Sequence, residues 1–194
     1  MATAANTDIE VCSRALILIG AEPITSFSDQ TTEALVASNI YEDIARASLT
    51  NTRWRFATNQ VVLNRLSEAP TGRFDSAYQL PSGILMLNAI TVGDIPITYD
   101  TYGNKVFCDA SIADELVADF IFRALEVDWP SYFTLAVEFE LASIFAVSIA
   151  RDPSLGRAMA ERAQITMIRA RTTDAQQQTT RKLNTSRFIS QRRS

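Results

Sequence analysis

The chain has no histidine among its 194 residues, which removes Ser-His-Asp and Cys-His nucleophilic sites and every imidazole-dependent metal site. Glycine is scarce as well. Six glycines are scattered, with neither a GxxxxGK(S/T) loop nor a GxGxxG turn, so no cluster stands ready to cradle a nucleotide phosphate. The two cysteines, Cys12 in a helical pattern and Cys108 in a strand pattern, have no metal-ligand spacing and make no disulfide framework; both are expected as reduced, buried thiols. The opening MATAANTDIE has no basic region, no apolar run before a cleavage site and Ala rather than Gly in second place. Neither a secretory leader nor myristoylation is expected, and synthesis in the cytoplasm is. Finally, one end lacks a sign of charge: beyond Asp174 there is no Asp or Glu at all.

That last absence divides the chain. Residues 1–150 hold 8 Lys and Arg against 19 Asp and Glu, a net of −11, whereas residues 151–194 hold 10 against 3, a net of +7. The final twenty residues carry five positive charges alone. With 47% hydrophobic residues, the chain can bury one sizeable core, or a core with a small lobe. Of catalytic constellations only paired carboxylates remain, and Glu138 with Glu140 is the obvious pair. Two residues apart on a helix, they point roughly 200° apart and cannot flank one bond. No catalytic, cofactor-binding or metal-binding residues are assigned; the pair is expected at an interface or partly solvated edge.

The stretch Trp129–Ala150, apolar on nearly every side of a helical wheel, is expected as the central buried helix, with Pro130 in its first turn and Asp128 capping it. Glu138 and Glu140 interrupt the run and argue against a membrane span. Ahead of it, Thr7-Asp8-Ile9-Glu10 is a capping box opening a helix over 8–19 that stops at Gly20. A second helix over 31–50 carries a small-residue face: Leu35, Ala37, Ser38, Tyr41, Ile44, Ala45, Ala47 and Ser48. After the central helix, over 131–150, Asp152-Pro153-Ser154 opens a fourth, over 154–173, through Leu155, Met159, Ile165 and Ile168. Between the second and third helices, residues 54–123 read as a β lobe, starting with irregular strand at Trp54 and Phe56. Ile84–Val92 and Leu116–Phe122 are strands, and residues 95–99 and 105–108 flank a hairpin loop over 100–104. The fold class is therefore α+β, mainly α: about four bundled helices, a small, mostly antiparallel β lobe and an extended C-terminal arm. The body spans 1–174 and the arm 175–194.

The arm has little apolar content, and three uses are open to it: phosphate binding by its basic residues with Phe188 stacking on a base, no use beyond solvation, or docking onto an acidic partner. In the docking reading the contacts are Arg181, Lys182, Leu183, Arg187, Phe188, Ile189, Arg192 and Arg193, with the apolar residues as anchors.

The order of segments is similar to a known family. LILIGAEPI, then DQTTEALVASNIYEDIARASLTNTRWRFAT, YQLPSGILMLNAI, LVADFIFR and the helix after DWP, over roughly residues 8–175, resemble the tail tubular protein A or head-to-tail adaptor family of tailed bacteriophages and gene transfer agents. The marks are Ile19-Gly20, Tyr41, Trp54, Phe56, Ala57, Tyr78, Leu80 and Pro81. The resemblance implies a non-enzymatic virion protein of the head-tail junction, made in the host cytoplasm. Twelve copies would form a ring below the portal protein and above the next tail or nozzle protein. On that reading the arm meets the portal, genomic DNA passes through the ring without specific binding, and no membrane or cofactor is involved. Acids of the hairpin region, Asp94, Asp100 and Asp109 against Lys105, are candidates for a DNA-repelling lumen, with a plain solvated face as the alternative. In dilute solution a monomer or weak oligomer is expected.

Overall fold

A computed structural model describes residues 5–67, 70 and 72–177. Its elements run α1 (Asp8–Leu18), α2 (Thr32–Thr50), a short 3-10 turn (Arg55–Ala57), eight strands, a second 3-10 turn (Glu126–Asp128), α3 (Ser131–Ser148) and α4 (Pro153–Gln176). Of the described residues 46% are helical and 21% in strands, all paired antiparallel, so the class is α+β with helix predominant.

The helix starts follow from local chemistry. The Thr7 hydroxyl accepts from the Glu10 amide at 3.2 Å, while the Glu10 carboxylate reaches back to the Asn6 amide at 2.7 Å, one residue beyond the usual target of a capping box. Gly20, at φ 76°, ends the turn after α1 in a left-handed conformation that a side chain would strain. Thr31 caps α2 through the Ala34 amide, and Asp152 caps α4 through the amides of Ser154 and Leu155. At α3 the expected cap is not used. Pro130 itself takes the cap position in extended conformation, and Asp128 lies within the preceding 3-10 turn.

The lobe is two four-stranded sheets, ordered β1-β8-β4-β5 and β2-β3-β7-β6, where β1 is Thr58–Val62, β2 Asn64–Arg65, β3 Ser76–Gln79, β4 Ile84–Val92, β5 Ile95–Pro96, β6 Asp100–Tyr102, β7 Lys105–Cys108 and β8 Leu116–Phe122. Between them lies a small core of Leu63, Tyr78, Ile90, Val106, Cys108, Leu116, Ala118 and Phe120. The expected single hairpin is in fact two. Ile95 pairs back onto Val92 across a Gly93-Asp94 turn with both residues at positive φ, and Asp100–Tyr102 is itself a strand, paired with Lys105–Phe107 around Gly103. The second correction concerns Trp54 and Phe56, which are not strand residues. They lead into and lie within the 3-10 turn, and Trp54 is wholly buried in the helical core.

At the junction of lobe and helices an aromatic knot forms around Phe133 in the first turn of α3. Trp54 meets its ring edge-on at 5.0 Å, Trp129 at 4.9 Å, and Phe56 tilts against it at 5.0 Å. Both indole N–H groups are satisfied, Trp54 donating to the Ser48 carbonyl (2.9 Å) and Trp129 to the Ala124 carbonyl (3.0 Å). A polar collar lies alongside. Arg123, at the end of β8, forks onto Glu42 of α2 at 3.0 and 3.2 Å, donates to Glu126 and stacks over Trp129, while Tyr41 donates to Glu126 at 2.6 Å. Burial pushes both carboxylates up, but the donors outweigh it and hold Glu42 and Glu126 below the ordinary range; burial opposes the Arg123 charge, and the two acids still raise its pKa.

α3 is central, packing against α1, α2 and α4. By length and composition it would also suit a bilayer, and half of that stretch is buried against the rest of the chain. Burial covers one broad side rather than the whole circumference: Phe133, Ala136, Val137, Leu141 and Phe145 are inside, whereas Leu135 and Val147 are exposed. α4 packs on it through small residues. A Cβ on Gly156 would come within 2.7 Å of Val147 Cγ2 and 3.2 Å of the Ser143 carbonyl, so the close approach requires glycine. Ile165 and Ile168, expected to face the core, are 51% and 61% exposed; Ala163, Met167 and Ala170 face it instead. In α2 the inward face is Ala34, Ala37, Tyr41, Ala45, Ser48 and Leu49, while Leu35, Ser38 and Ala47 are exposed. Cys12 and Cys108 are buried free thiols, Cys12 pushed up to about 12 by burial and by Asp8 and Glu126.

Of the pair expected at an interface or partly solvated edge, Glu140 is half-buried and accepts from the Ser48 hydroxyl at 2.8 Å, whereas Glu138 is 6% exposed, with Arg14 of α1 at 3.7 Å as its ion-pair partner among the described residues. Burial raises the Glu138 pKa against the pull of Arg14. A raised value means that the folded state holds this proton more tightly than the unfolded chain does. Its stabilising contribution is full below the ordinary carboxylate range, about 4.3, and fades as pH climbs through the raised value. Glu138→Gln should therefore match wild type in urea unfolding at pH 4 and exceed it by about 1 kcal/mol at pH 8. A difference independent of pH would mean that the carboxylate is not desolvated. Phe133→Ala, by opening the knot, should cost about 3–5 kcal/mol in the same assay.

Candidate docking interface at the end of α4

The last turn of α4 immediately precedes the basic run in the sequence, and it is fastened by an acidic residue buried to 5% exposure, Asp174. Its Oδ1 accepts from the Tyr132 hydroxyl at 2.8 Å and its Oδ2 from the Arg55 backbone amide at 3.2 Å. Gln177, the C-cap residue, adds two longer contacts: its carbonyl accepts from Arg55 Nη1 at 3.4 Å and its side-chain amide donates to the Tyr132 oxygen at 3.5 Å.

Each partner comes from a different element for a local reason. Tyr132 is in the first turn of α3, immediately before Phe133, so the aromatic knot fixes its direction. Arg55 opens the 3-10 turn that follows Trp54, and its amide is one of the unpaired donors at the start of such a turn. A buried carboxylate that accepts from two donors is the form in which an ionised acid is tolerated inside a protein. Burial and the neighbouring Asp174 push the Tyr132 phenol up to about 12, so it stays protonated and donating at neutral pH. The arrangement anchors a helix end.

The arm residues expected from sequence, Arg181, Lys182, Leu183, Arg187, Phe188, Ile189, Arg192 and Arg193, all lie outside the described residues. The fourth helix, expected over 154–173, runs over Pro153–Gln176, so Ala175 and Gln176 belong to its last turn. The three aspartates grouped as lumen candidates do not share one hairpin. Asp94 sits in the β4–β5 turn, Asp100 on β6 pairs with Arg73 at 3.2 Å, and Asp109 follows β7 and accepts from the Asp75 amide at 3.0 Å. Sequence reasoning missed the Asp174–Tyr132–Arg55 node, whose members are separated by 42 and 119 residues. The one available hint was that Asp174 is the last acid before the basic run.

Among the described residues no group of three or more Cys, Asp or Glu side chains is placed to hold a metal ion. No protein-family model matches the chain, and no curated protein matches it.

Asp174→Ala should leave the Tyr132 hydroxyl and the Arg55 amide without their acceptor, costing about 1–3 kcal/mol. Hydrogen exchange should quicken over residues 168–177 while α1 and α2 stay protected. Uniform loss of protection would place Asp174 in the global core rather than at a local anchor.

Proposed function

We propose that this chain is a structural, non-enzymatic adaptor at the head-tail junction of a tailed phage or phage-like particle. It forms a ring of copies, twelve by the family resemblance, under the portal, with a tail or nozzle protein below and genomic DNA passing through. The observation that carries the reading is the joining of two opposites at a fixed point: an acidic α+β body, and a basic segment without acids that starts where Asp174 ties α4 down. A segment that must find a partner from a defined place needs such a root, because ordering a long floating tether adds to the entropic cost of binding.

The residues that carry the resemblance also hold positions of structural consequence. Gly20 ends the first helical turn sequence, Tyr41 belongs to the polar collar, Trp54 and Phe56 to the knot, and Tyr78 to the lobe core. This supports the reading by tying the motif to one architecture. Function as a virion component made in the host cytoplasm, with no membrane and no cofactor, follows from the same proposal.

The competing reading is nucleic-acid binding through the basic segment, favoured by its five unopposed positive charges. The two separate experimentally. A chain ended after Gln177 should keep its helical circular dichroism and thermal transition but lose attachment to purified portal rings. Full-length chain should bind portal and show no steeply salt-dependent binding to DNA. Tight DNA binding that collapses between 50 and 200 mM salt, with no portal attachment, would favour the competitor.

A further inference from the structure

Close to the anchored end of α4 lies a cavity of about 370 Å³ with three arginines in its wall, Arg53, Arg55 and Arg171, together with Thr52 and Thr58. Such a grouping is unexpected on a body whose first 150 residues carry a net charge of −11. No described carboxylate lies within ion-pair distance of any of the three, whereas Arg14, Arg46, Arg73 and Arg123 all have acidic partners. Asp174 shares the wall, but both of its oxygens already accept, one from Tyr132 and one from the Arg55 amide. Glu140 lines the adjoining groove with Arg171 and takes the Ser48 hydroxyl. The Nε of Arg171 is shielded from solvent and has no hydrogen-bond partner among the described residues. The only Asp or Glu outside the described residues is Glu68, in the β2–β3 connection, and the terminal segment has none. Nothing in the segment following α4 supplies side-chain carboxylates to neutralise these charges.

We infer that this cavity is a binding site for clustered carboxylates, the Asp or Glu side chains of an acidic segment on a partner protein. Guanidinium forks match carboxylates through paired, charge-assisted hydrogen bonds, and an Nε already stripped of water loses little more on binding. Carboxylates fit better than the phosphates of a nucleic acid for two reasons. The site is a single concavity sized for a few side chains rather than a stripe following a backbone, and the surrounding acidic body repels a long polyanion while adding little against two or three charges seated within the cavity. The proposal is independent of the adaptor reading, since a partner of any kind offering such a segment would satisfy it.

The test uses the full chain and fluorescein-labelled octaglutamate, followed by anisotropy at about 50 mM salt, where surface charges are least screened. Arg53→Gln with Arg171→Gln should weaken binding about tenfold, whereas Arg192→Gln with Arg193→Gln, which removes the same charge from the terminal segment, should weaken it less than about threefold. Equal losses would overturn the site. Arg53→Lys with Arg171→Lys keeps the charge and loses the fork; a several-fold loss is expected, and wild-type affinity would overturn the proposal even if the glutamine pair failed to fold. Oligothymidylate binding more tightly than octaglutamate, and lost in the same glutamine pair, would assign the cavity to phosphate instead.

Discussion

Phe133 is the point on which the structure turns, because the ring contacts around it close the base of an insertion. The chain leaves the helices at Trp54 and returns at Trp129, and both indoles meet the same ring. Without that closure the lobe would hang from two independent strands of chain, and α3 would lose the partners that orient its first turn. Closing a loop of this length costs only slightly more than closing a short one, since the entropy grows with the logarithm of length. A few buried aromatic contacts can therefore hold a whole lobe in place. The collar of Arg123, Glu42, Glu126 and Tyr41 adds direction to what the aromatic contacts hold, fixing the rotation of β8 against α2.

Local chemistry made much of the fold legible in the sequence. The capping residues Thr7, Thr31 and Asp152 each mark a helix start, and the apolar runs Ile84–Val92 and Leu116–Phe122 are strands to the residue. What could not be read depended on distance. Trp54 and Phe56 have the composition of strand residues, yet tertiary contact with Phe133 draws them into the helical core. The first arm of the hairpin was misplaced because Gly93-Asp94 and Gly103-Asn104 are both good turns, and only the pairing within each sheet decides which strand each one closes. In α4 the bulky Ile165 and Ile168 have the composition of core residues, yet the helix turns Ala163, Met167 and Ala170 inward instead.

The end of α4 was less legible still. Its anchor joins residues from three elements, and the arginine cavity joins a loop, a 3-10 turn and a helix. Periodicity reports which face of an element is buried, not which charged residues of separate elements meet. Charge counting did locate the neighbourhood, since the acid-free run begins just after Asp174, in the last turn of α4. It did not show that a positive concavity also belongs to the body, placed next to the start of the basic segment rather than within it.

Strand β8 gives this architecture a mechanical character. Leu116, Ala118 and Phe120 belong to the lobe core while Ile121, on the same strand, belongs to the helical core, and Ala124 and Trp129 follow with only a short connection before α3. There is no slack between the two cores along this path. A tug on the lobe travels down one extended backbone, passes through Arg123 and arrives at the first turn of α3, much as torque passes along a keyed shaft. The same short path ends beside Tyr132, whose hydroxyl donates to Asp174 in the last turn of α4.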